Sequence, residues 1–297
     1  MNKAVKIIVT VSLGILFVGI LSVILGLKFG GKANWGFDLA TMKYTDQTET
    51  VENTIDLDDF DSLDIEVSSM DVMIKHGDSY RLEYKAEEGR EPVIEQNGGK
   101  LKITQPSGSS FKIGIDLSAI DENYTIVVPD GADVIKLDAR LSSGDLITDH
   151  VNISGKIHAS SGDVLLSDVE GEKLDVSVSS GEIGCDKIKV KEAVFDASSG
   201  NIEINRIFAD DVKCEASSGD ITINDSEAGN LYCKASSGEI EVVLNGSEDE
   251  YSYELKATSG DIKVNGVEIE DKYEKDNGKD NKITLRSTSG DIKLDIR

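Results

Sequence analysis

The chain has 297 residues, enough for one or two domains, and only 5% of them are aromatic, which excludes a core built on many large aromatic side chains. Its 31 basic and 56 acidic residues give a net charge of −25 at pH 7. Because nucleic-acid backbones are held by Lys and Arg, this balance excludes nucleic acid as a partner.

The first predicted element is an apolar segment at residues 7–27, which contains no charged residue. As a helix it extends about 31 Å, close to the thickness of a bilayer core. Lys28 follows directly, without the small-residue site at which a signal peptide is cleaved. We predict a transmembrane anchor at residues 1–28; a cleaved signal peptide and a buried core helix are the alternatives. The short N-terminal tail favours a single-pass topology with the C-terminal body outside the cell.

The next two segments are predicted to be a juxtamembrane linker, residues 29–53, and a β-rich N-terminal cap, residues 54–140. Alternating apolar and polar residues predict strands within the cap at Leu63–Ile74, Arg81–Tyr84, Leu101–Thr104 and Tyr124–Pro129. Terminal units of repeat proteins need such caps to cover the open end of the stack.

A repeated tetrapeptide, Ser/Thr-Ser-Gly followed by Asp, Glu or Asn, recurs through residues 141–297. The first six copies lie 18 or 19 residues apart and two more follow longer spacers; the glycines are Gly144, Gly162, Gly181, Gly200, Gly219, Gly238, Gly260 and Gly290. Each repeat holds two short alternating runs, the pattern of strands bounded by turns. We therefore predict an all-β protein whose residues 141–297 form a parallel β-solenoid, or β-helix, of about 19-residue repeats.

Equivalent positions of the repeats predict the direction of the side chains. The position two residues after each glycine is always apolar and is predicted to point inward: Leu146, Val164, Ile183, Ile202, Ile221, Ile240, Ile262 and Ile292. The serine directly before each glycine is also expected to point inward, and the glycine to supply the positive φ of a turn. We expect residues 270–282 to form a charged loop, and Ile292–Ile296 to leave a free edge for another chain.

Seven acidic residues directly follow their glycines and form a predicted carboxylate ladder, with Asn201 as the exception: Asp145, Asp163, Glu182, Asp220, Glu239, Asp261 and Asp291. Outside a cell this ladder is a weak candidate for calcium, which binds oxygen ligands. A row of solvated turn residues is the favoured explanation, because charges one coil apart repel by only about 0.9 kcal/mol in water and need no metal. We therefore predict no metal site and no cofactor.

Other reactive residue types do not form a recognisable motif. Cys214 and Cys233 are one repeat apart and are predicted to be stacked, buried thiols, with a disulfide as the alternative. The histidines, His76, His150 and His158, are scattered along the chain and are assigned to the surface. Serines recur in every repeat, whereas a nucleophile is unique and has its own base. We predict that the chain is not an enzyme; a polysaccharide-cleaving β-helix is the alternative.

The segments Leu63–Ile74, Leu101–Ser107 and Tyr124–Pro129, followed by the tandem Ser-Ser-Gly-Asp array, resemble the bacterial "putative adhesin" family, the domain of unknown function 4097. The resemblance covers about residues 50–297, and Met70 departs from it by replacing the glycine of the first turn. It implies a β-solenoid, often attached to an envelope membrane protein, with links to envelope-stress signalling in some Gram-positive members. It implies no catalytic residue.

These observations lead to one predicted function and one alternative. The first is a membrane-anchored, surface-exposed, non-catalytic binding module of the cell envelope, an adhesin that attaches to the membrane through residues 7–27. The alternative is a membrane-linked sensor or regulator of envelope stress that acts through a protein partner.

Overall fold

The structure is a computed structural model that describes residues 35–38, 43–45, 50–106, 112–115 and 122–297. The apolar segment 7–27, on which the predicted membrane anchor depends, lies outside these residues. Within the described part of the chain, no helix is long and apolar enough to cross a membrane.

The described residues are all-β apart from one turn of 3-10 helix at Glu248–Glu250. Their strands are β1 Trp35–Asp38, β2 Lys43–Thr45, β3 Thr50–Asp56, β4 Ser62–Val67, β5 Asp71–Gly77, β6 Arg81–Glu87, β7 Val93–Asn97, β8 Lys100–Thr104, β9 Lys112–Ile115, β10 Asn123–Pro129, β11 Ile135–Leu141, β12 Leu146–Asp149, β13 Ile153–Ala159, β14 Val164–Glu170, β15 Lys173–Ser180, β16 Ile183–Lys189, β17 Glu192–Ser199, β18 Ile202–Ser218, β19 Ile221–Ser237, β20 Ile240–Leu244, β21 Ser252–Ser259, β22 Ile262–Val264, β23 Val267–Ile269, β24 Lys272–Lys275, β25 Lys282–Ser289 and β26 Ile292–Ile296. The predicted all-β class is confirmed.

The chain divides into two units, residues 1–50 with 108–121, and residues 51–107 with 122–297. In the first unit the described residues form a three-stranded antiparallel sheet in the order β2-β1-β9. This sheet therefore pairs a part of the predicted linker with a part of the predicted cap.

The second unit is a stack of coils, each made of a first strand, a corner and a second strand. Strands of successive repeats pair in parallel and in register, so that residues 19 apart are neighbours, as Ile202 is with Ile221 and Cys214 with Cys233. The sheet of many strands with these parallel segments is consistent with the predicted β-solenoid. Stacking of this kind repeats every 4.8 Å or so along the axis.

The inward direction of the apolar columns is confirmed. All eight residues two positions after the corner glycines are at most 1% exposed, as are most residues three and five positions before them. Equivalent side chains thus lie one above the other and form continuous apolar ladders in the core. Burial of these ladders, at roughly 25 cal/mol per Å² of apolar surface, is the main term that stabilises the stack.

The corners differ from the prediction in two respects. The serines directly before the glycines are exposed, because the chain bends away from the core at the corner. Of the eight glycines only Gly290 has a positive φ, 151°. The left-handed residues with φ between 47° and 61° instead follow the corner glycines by five or six positions: His150, Asp168, Lys187, Arg206, Asp225 and Asn265.

The glycines are required by close backbone approach. A Cβ on Gly144 would lie 2.0 Å from the carbonyl oxygen of Met70, and one on Gly200 would lie 1.8 Å from that of Gly181. Each corner therefore presses against the backbone of the coil below it. Met70, which replaces the glycine in the first corner, is fully buried.

The order of the coils does not follow the order of the chain at either end of the stack. The last strands, β25 and β26, lie between the coil of β19 and β20 and the coil of β21 and β22. Likewise β4 and β5 lie between β8 and β10 on one side and β11 and β12 on the other. The prediction that Ile292–Ile296 leaves a free edge is wrong, because β26 is paired on both sides.

Antiparallel strands cover both ends of the stack. At the N-terminal end β7 pairs with β8 and β6 with β10, and at the C-terminal end β24 pairs with β21 and β23 with β22. The expectation of a charged loop at residues 270–282 is wrong for β24, which is a paired strand. The four antiparallel strands end the parallel ladders and so limit pairing with other chains.

Candidate functional site

In the predicted carboxylate ladder, side-chain oxygens accept hydrogen bonds from backbone N–H groups of neighbouring coils. The Asp145 Oδ1 atom accepts the Asp163 N–H at 2.8 Å, and Asp163 Oδ1 accepts the Glu182 N–H at 2.8 Å. Asp220 Oδ1 likewise accepts the Glu239 N–H at 2.8 Å, and Asp291 Oδ1 accepts the Asp261 N–H at 2.9 Å. These side chains satisfy backbone donors that the bend leaves without a partner in the strand ladder.

This arrangement explains the one exception in the column. Asn201 Oδ1 accepts the Asp220 N–H at 3.0 Å, so an amide oxygen serves as well as a carboxylate oxygen. Among the side chains that the structure describes, no group of three or more His, Cys, Asp or Glu could hold a metal ion. The weak calcium candidates therefore remain a column of single residues, and four of the seven, Asp145, Asp163, Asp220 and Asp291, accept a backbone N–H of a neighbouring coil.

The three cysteines are buried free thiols. Cys214 and Cys233 are stacked neighbours, as predicted from their spacing. Burial raises the pKa of the Cys185 and Cys233 thiols well above the usual range, so both remain protonated and unreactive at neutral pH.

Two of the histidines are brought together, which the sequence did not reveal. The His76 and His150 rings lie 5.5 Å apart between their centroids. His76 contacts Asp130, and His150 contacts Asp149 and, at 3.2 Å, Asp168. The two rings border a small cavity of about 240 Å³ on adjacent coils. His158 lies elsewhere and pairs with the Ser177 hydroxyl at 2.9 Å.

A groove lies on the outer face of the first strands. It consists of two adjoining concavities of about 450 and 440 Å³, which we call the Lys136 pocket and the Tyr232 pocket. The Lys136 pocket is lined by the starts of β4, β11, β13 and β15, and the Tyr232 pocket by the starts of β17 and β25 and by the second halves of β18 and β19. They meet where Lys173 pairs with Glu192. The groove therefore crosses eight stacked strands, roughly 35 Å at the spacing of a sheet, and Lys100 at the start of β8 borders one end of it.

The Lys136 pocket combines a floor without projecting side chains with charged walls. Leu63 and Leu137, whose side chains point into the core, line the floor with Gly155, and Lys136, Asp64 and three further lysines line the walls. Gly155 lies in register between Leu137 and Leu174, at a position where neighbouring coils carry a buried side chain. A Cβ on Gly155 would lie 1.9 Å from the Leu137 carbonyl oxygen, so the backbone itself closes this part of the wall.

The charged side chains in and beside the Tyr232 pocket are held in close ion pairs. Lys213 donates to Glu215 at 2.8 Å, and Lys282 donates to Glu254 at 2.7 Å. Hydrogen bonds from Lys282 and Arg286 lower the pKa of the Glu254 carboxyl to about 2. The half-buried Tyr232 ring adds an apolar surface among these charges. Ions, hydroxyls and an aromatic ring in a long groove are groups that bind a polar ligand without covalent chemistry.

Comparison with known proteins identifies the family. The model of the family described as Toastrack DUF4097 matches residues 60–295. The chain belongs to the Toastrack DUF4097 family. The matched region includes every strand that lines the groove, from β4 to β25.

Several solved structures are similar to this Toastrack DUF4097 member. A "Putative lipid binding protein" from Parabacteroides distasonis is 21% identical and has a TM-score of 0.50, with 84% of this chain and 96% of that one covered. A "putative adhesin" from Bacteroides fragilis is 14% identical with a TM-score of 0.44, covering 84% of this chain and 98% of that one. A "putative cell adhesion protein" from Clostridium sporogenes is 14% identical with a TM-score of 0.31, covering 84% and 100%. No curated protein matches the chain.

Sequence reasoning missed the groove of this Toastrack DUF4097 protein. One signal was present: Gly155 falls seven residues before a corner glycine, where the next four repeats have Leu174, Ala193, Val212 and Leu231. A glycine in an apolar column marks a position where the backbone, not a side chain, closes the wall of the core. Lys136 and Asp64 carry no comparable signal, since charged residues are ordinary on the outer face of a strand.

Proposed function

We propose that this protein is a membrane-anchored, surface-exposed, non-catalytic binding module that acts in adhesion. The observation that carries the proposal is the groove across eight stacked strands, because long regular surfaces of this kind suit the binding of extended ligands. The membership in the Toastrack DUF4097 family agrees with a solenoid scaffold. Fold alone does not define a function, so the proposal rests on the groove.

The membrane part of the proposal rests on the sequence. Residues 7–27 are apolar and uncharged over a length that spans a bilayer, and the acidic body would be repelled by an anionic membrane surface. Anchoring through this segment would hold the body at the cell surface while electrostatic repulsion keeps it away from the lipid headgroups.

The first test is the exposure of the full-length protein on intact cells. Added protease should digest the body on intact cells as completely as in a lysate, while a cytoplasmic marker protein survives until lysis. Protection of the body until the cells are lysed would overturn a surface location and, with it, adhesion.

The second test is adhesion itself. Cells that display the full-length protein should attach to host cells or to coated matrix more strongly than cells of a deletion strain. Equal attachment by the two strains, together with an altered envelope-stress response on deletion, would overturn adhesion in favour of a regulator with a protein partner.

A further inference from the structure

Charges in the Lys136 pocket are paired with one exception. Lys100 lies 3.2 Å from Asp64, Lys156 lies 3.9 Å from Asp175, and Lys173 pairs with Glu192. Two acidic residues of the walls are held by cations from outside the pocket, Asp138 by Arg140 at 2.8 Å and Glu172 by Lys191 at 2.8 Å. Within the part of the chain whose side chains are described, the remaining cation, Lys136, has no ion-pair partner.

Lys136 is therefore the one lysine of the pocket without an ion pair, although the four lysines and four carboxylates of the lining balance in net charge. A cation in this setting attracts an anionic group, and the surrounding acidic surface would discourage anions from binding elsewhere. The exposed Lys136 side chain is free to adjust to such a group, since its ammonium makes no hydrogen bond to a described residue.

A second observation points to a hydrogen-bond donor in the ligand. The Asp64 Oδ1 atom is buried and has no hydrogen-bond partner in the described residues, while Oδ2 faces Lys100. A buried acceptor without a donor costs about 1 to 3 kcal/mol. Asp64 and Lys136 lie on adjacent strands, β4 and β11, and are two residues apart in register, since Lys136 lies opposite Ser62. A ligand that reaches both would need an anionic group and a donor a few ångströms apart.

The floor supplies the third requirement. Leu63 and Leu137 turn their side chains into the core and Gly155 has none, so the floor is free of projecting side chains, and the concavity of about 450 Å³ is within the usual range for small ligands. A sugar ring that carries a carboxylate offers a charge, hydroxyl donors and a flat shape that fits such a floor.

We propose that the Lys136 pocket binds an acidic sugar residue, with its carboxylate on Lys136, a hydroxyl donated to Asp64 Oδ1 and its ring on the floor. This inference rests on the proposed function, because it names the ligand class of the groove. The rest of the groove, as far as Tyr232, would bind neighbouring sugar residues of the same polysaccharide.

A peptide fits these observations less well. Peptides bind to sheets by adding a strand at a free edge, but β4, β11, β13 and β15 are each paired on both sides. The groove thus offers side chains rather than free backbone groups, which favours a ligand rich in hydroxyls.

Calorimetry on the full-length protein in detergent micelles tests the proposal. The probes are short oligomers of galacturonate, glucuronate and mannuronate, each beside its uncharged methyl ester. At least one acid should bind, its ester should bind roughly tenfold more weakly, and affinity should fall as salt is added. Failure of all three acids to bind at millimolar concentration, or equal binding of acid and ester, would overturn the proposal. So would tighter binding of a peptide with a free C-terminal carboxylate.

Three variants test whether the ligand binds in this pocket. Lys136→Gln should weaken binding roughly tenfold, as expected for a charged hydrogen bond, and Lys136→Arg should restore most of it. Lys256→Gln is the matched control, because Lys256 is an exposed lysine on β21, away from the groove. Equal affinity of Lys136→Gln and Lys256→Gln would contradict the assignment of the binding site to this pocket.

The two proposals fail separately. If the protein binds a uronate oligomer but its cells adhere no better than the deletion strain, the pocket stands and adhesion fails. If cells adhere and the Lys136→Gln strain adheres equally well, adhesion stands and the pocket is excluded as its ligand site.

Discussion

Each corner glycine is fixed by the backbone of the coil below it rather than by its own dihedral angles. A Cβ on Gly200 would lie 1.8 Å from the Gly181 carbonyl oxygen, and a backbone oxygen cannot move aside without disturbing the sheet. We expect Gly200→Ala to destabilise the protein by about 3 kcal/mol or more, at the upper end of overpacking effects. Unfolding in urea, followed by circular dichroism, measures this loss.

Gly184→Ala is the matched control for this experiment. A Cβ on Gly184 would meet only the end of the Leu165 side chain, 2.8 Å away, and that exposed side chain can rotate. We expect a loss below about 1 kcal/mol. Similar losses for the two variants would mean that the corners do not press on one another as described.

The acidic column makes a different prediction at the residue scale. Asp220→Ala removes the acceptor for the Glu239 N–H and should cost about 1 to 2 kcal/mol, whereas Asp220→Asn keeps an oxygen in place and should cost less than about 0.5 kcal/mol. Asn201 performs this role in the native chain. Thermal unfolding with calcium and with chelator completes the test. A calcium ladder would instead make the two variants equally damaging and the midpoint dependent on calcium.

The periodicity of the sequence was sufficient to predict the apolar columns but not the contacts between coils. Alternation shows which residues of a strand share a face, and residues such as Ile221 and Cys214 are buried as predicted. The outward turn of the corner serines depends on how tightly successive corners pack, which is a property of the stack. The meeting of His76 with His150 likewise depends on the insertion of β5 beside β12.

At the scale of elements, the C-terminal strands are interior parts of the stack. β25 pairs with β19 and β21, and β26 pairs with β20 and β22. We expect their amide protons to exchange as slowly as those of the central strand β17, whereas the ends of most chains exchange fastest. Native-state hydrogen exchange resolved by peptide mass spectrometry provides the measurement.

The outer strands serve as the internal reference. β23 pairs with β22 on one side and should exchange faster than β26 in the same experiment. Rapid exchange throughout β25 and β26 would instead indicate that the chain stacks in sequence order and ends in a frayed coil.

Sequence could not predict this order because the repeats are nearly equivalent. Any two coils present the same apolar columns, so several stacking orders bury the core equally well. The longer spacers before Gly260 and Gly290 leave room for the chain to pass a coil and return. The strand β24 within the second spacer lies in a segment of high charge, which led to the expectation of a loop.

At the scale of the whole stack, the antiparallel strands at the ends determine whether copies of the unit can join. A parallel ladder that ends in an uncovered strand presents unpaired N–H and C=O groups to a second chain. β24 covers β21 and β23 covers β22 at the C-terminal end. Three of the four residues of β24 are charged, and β23 carries Glu268, which further disfavours pairing.

Replacement of residues 265–281 by a Gly/Ser linker of equal length should therefore cause self-association. The linker keeps the connection from β22 to β25 but removes the strands that cover β21 and β22. Light scattering after gel filtration should show a concentration-dependent rise in mass for the variant and a constant mass for the wild type. Slow hydrogen exchange in β17 would confirm that the stack is still folded. A folded variant of constant mass would show that the edges of β21 and β22 are protected by something other than β23 and β24.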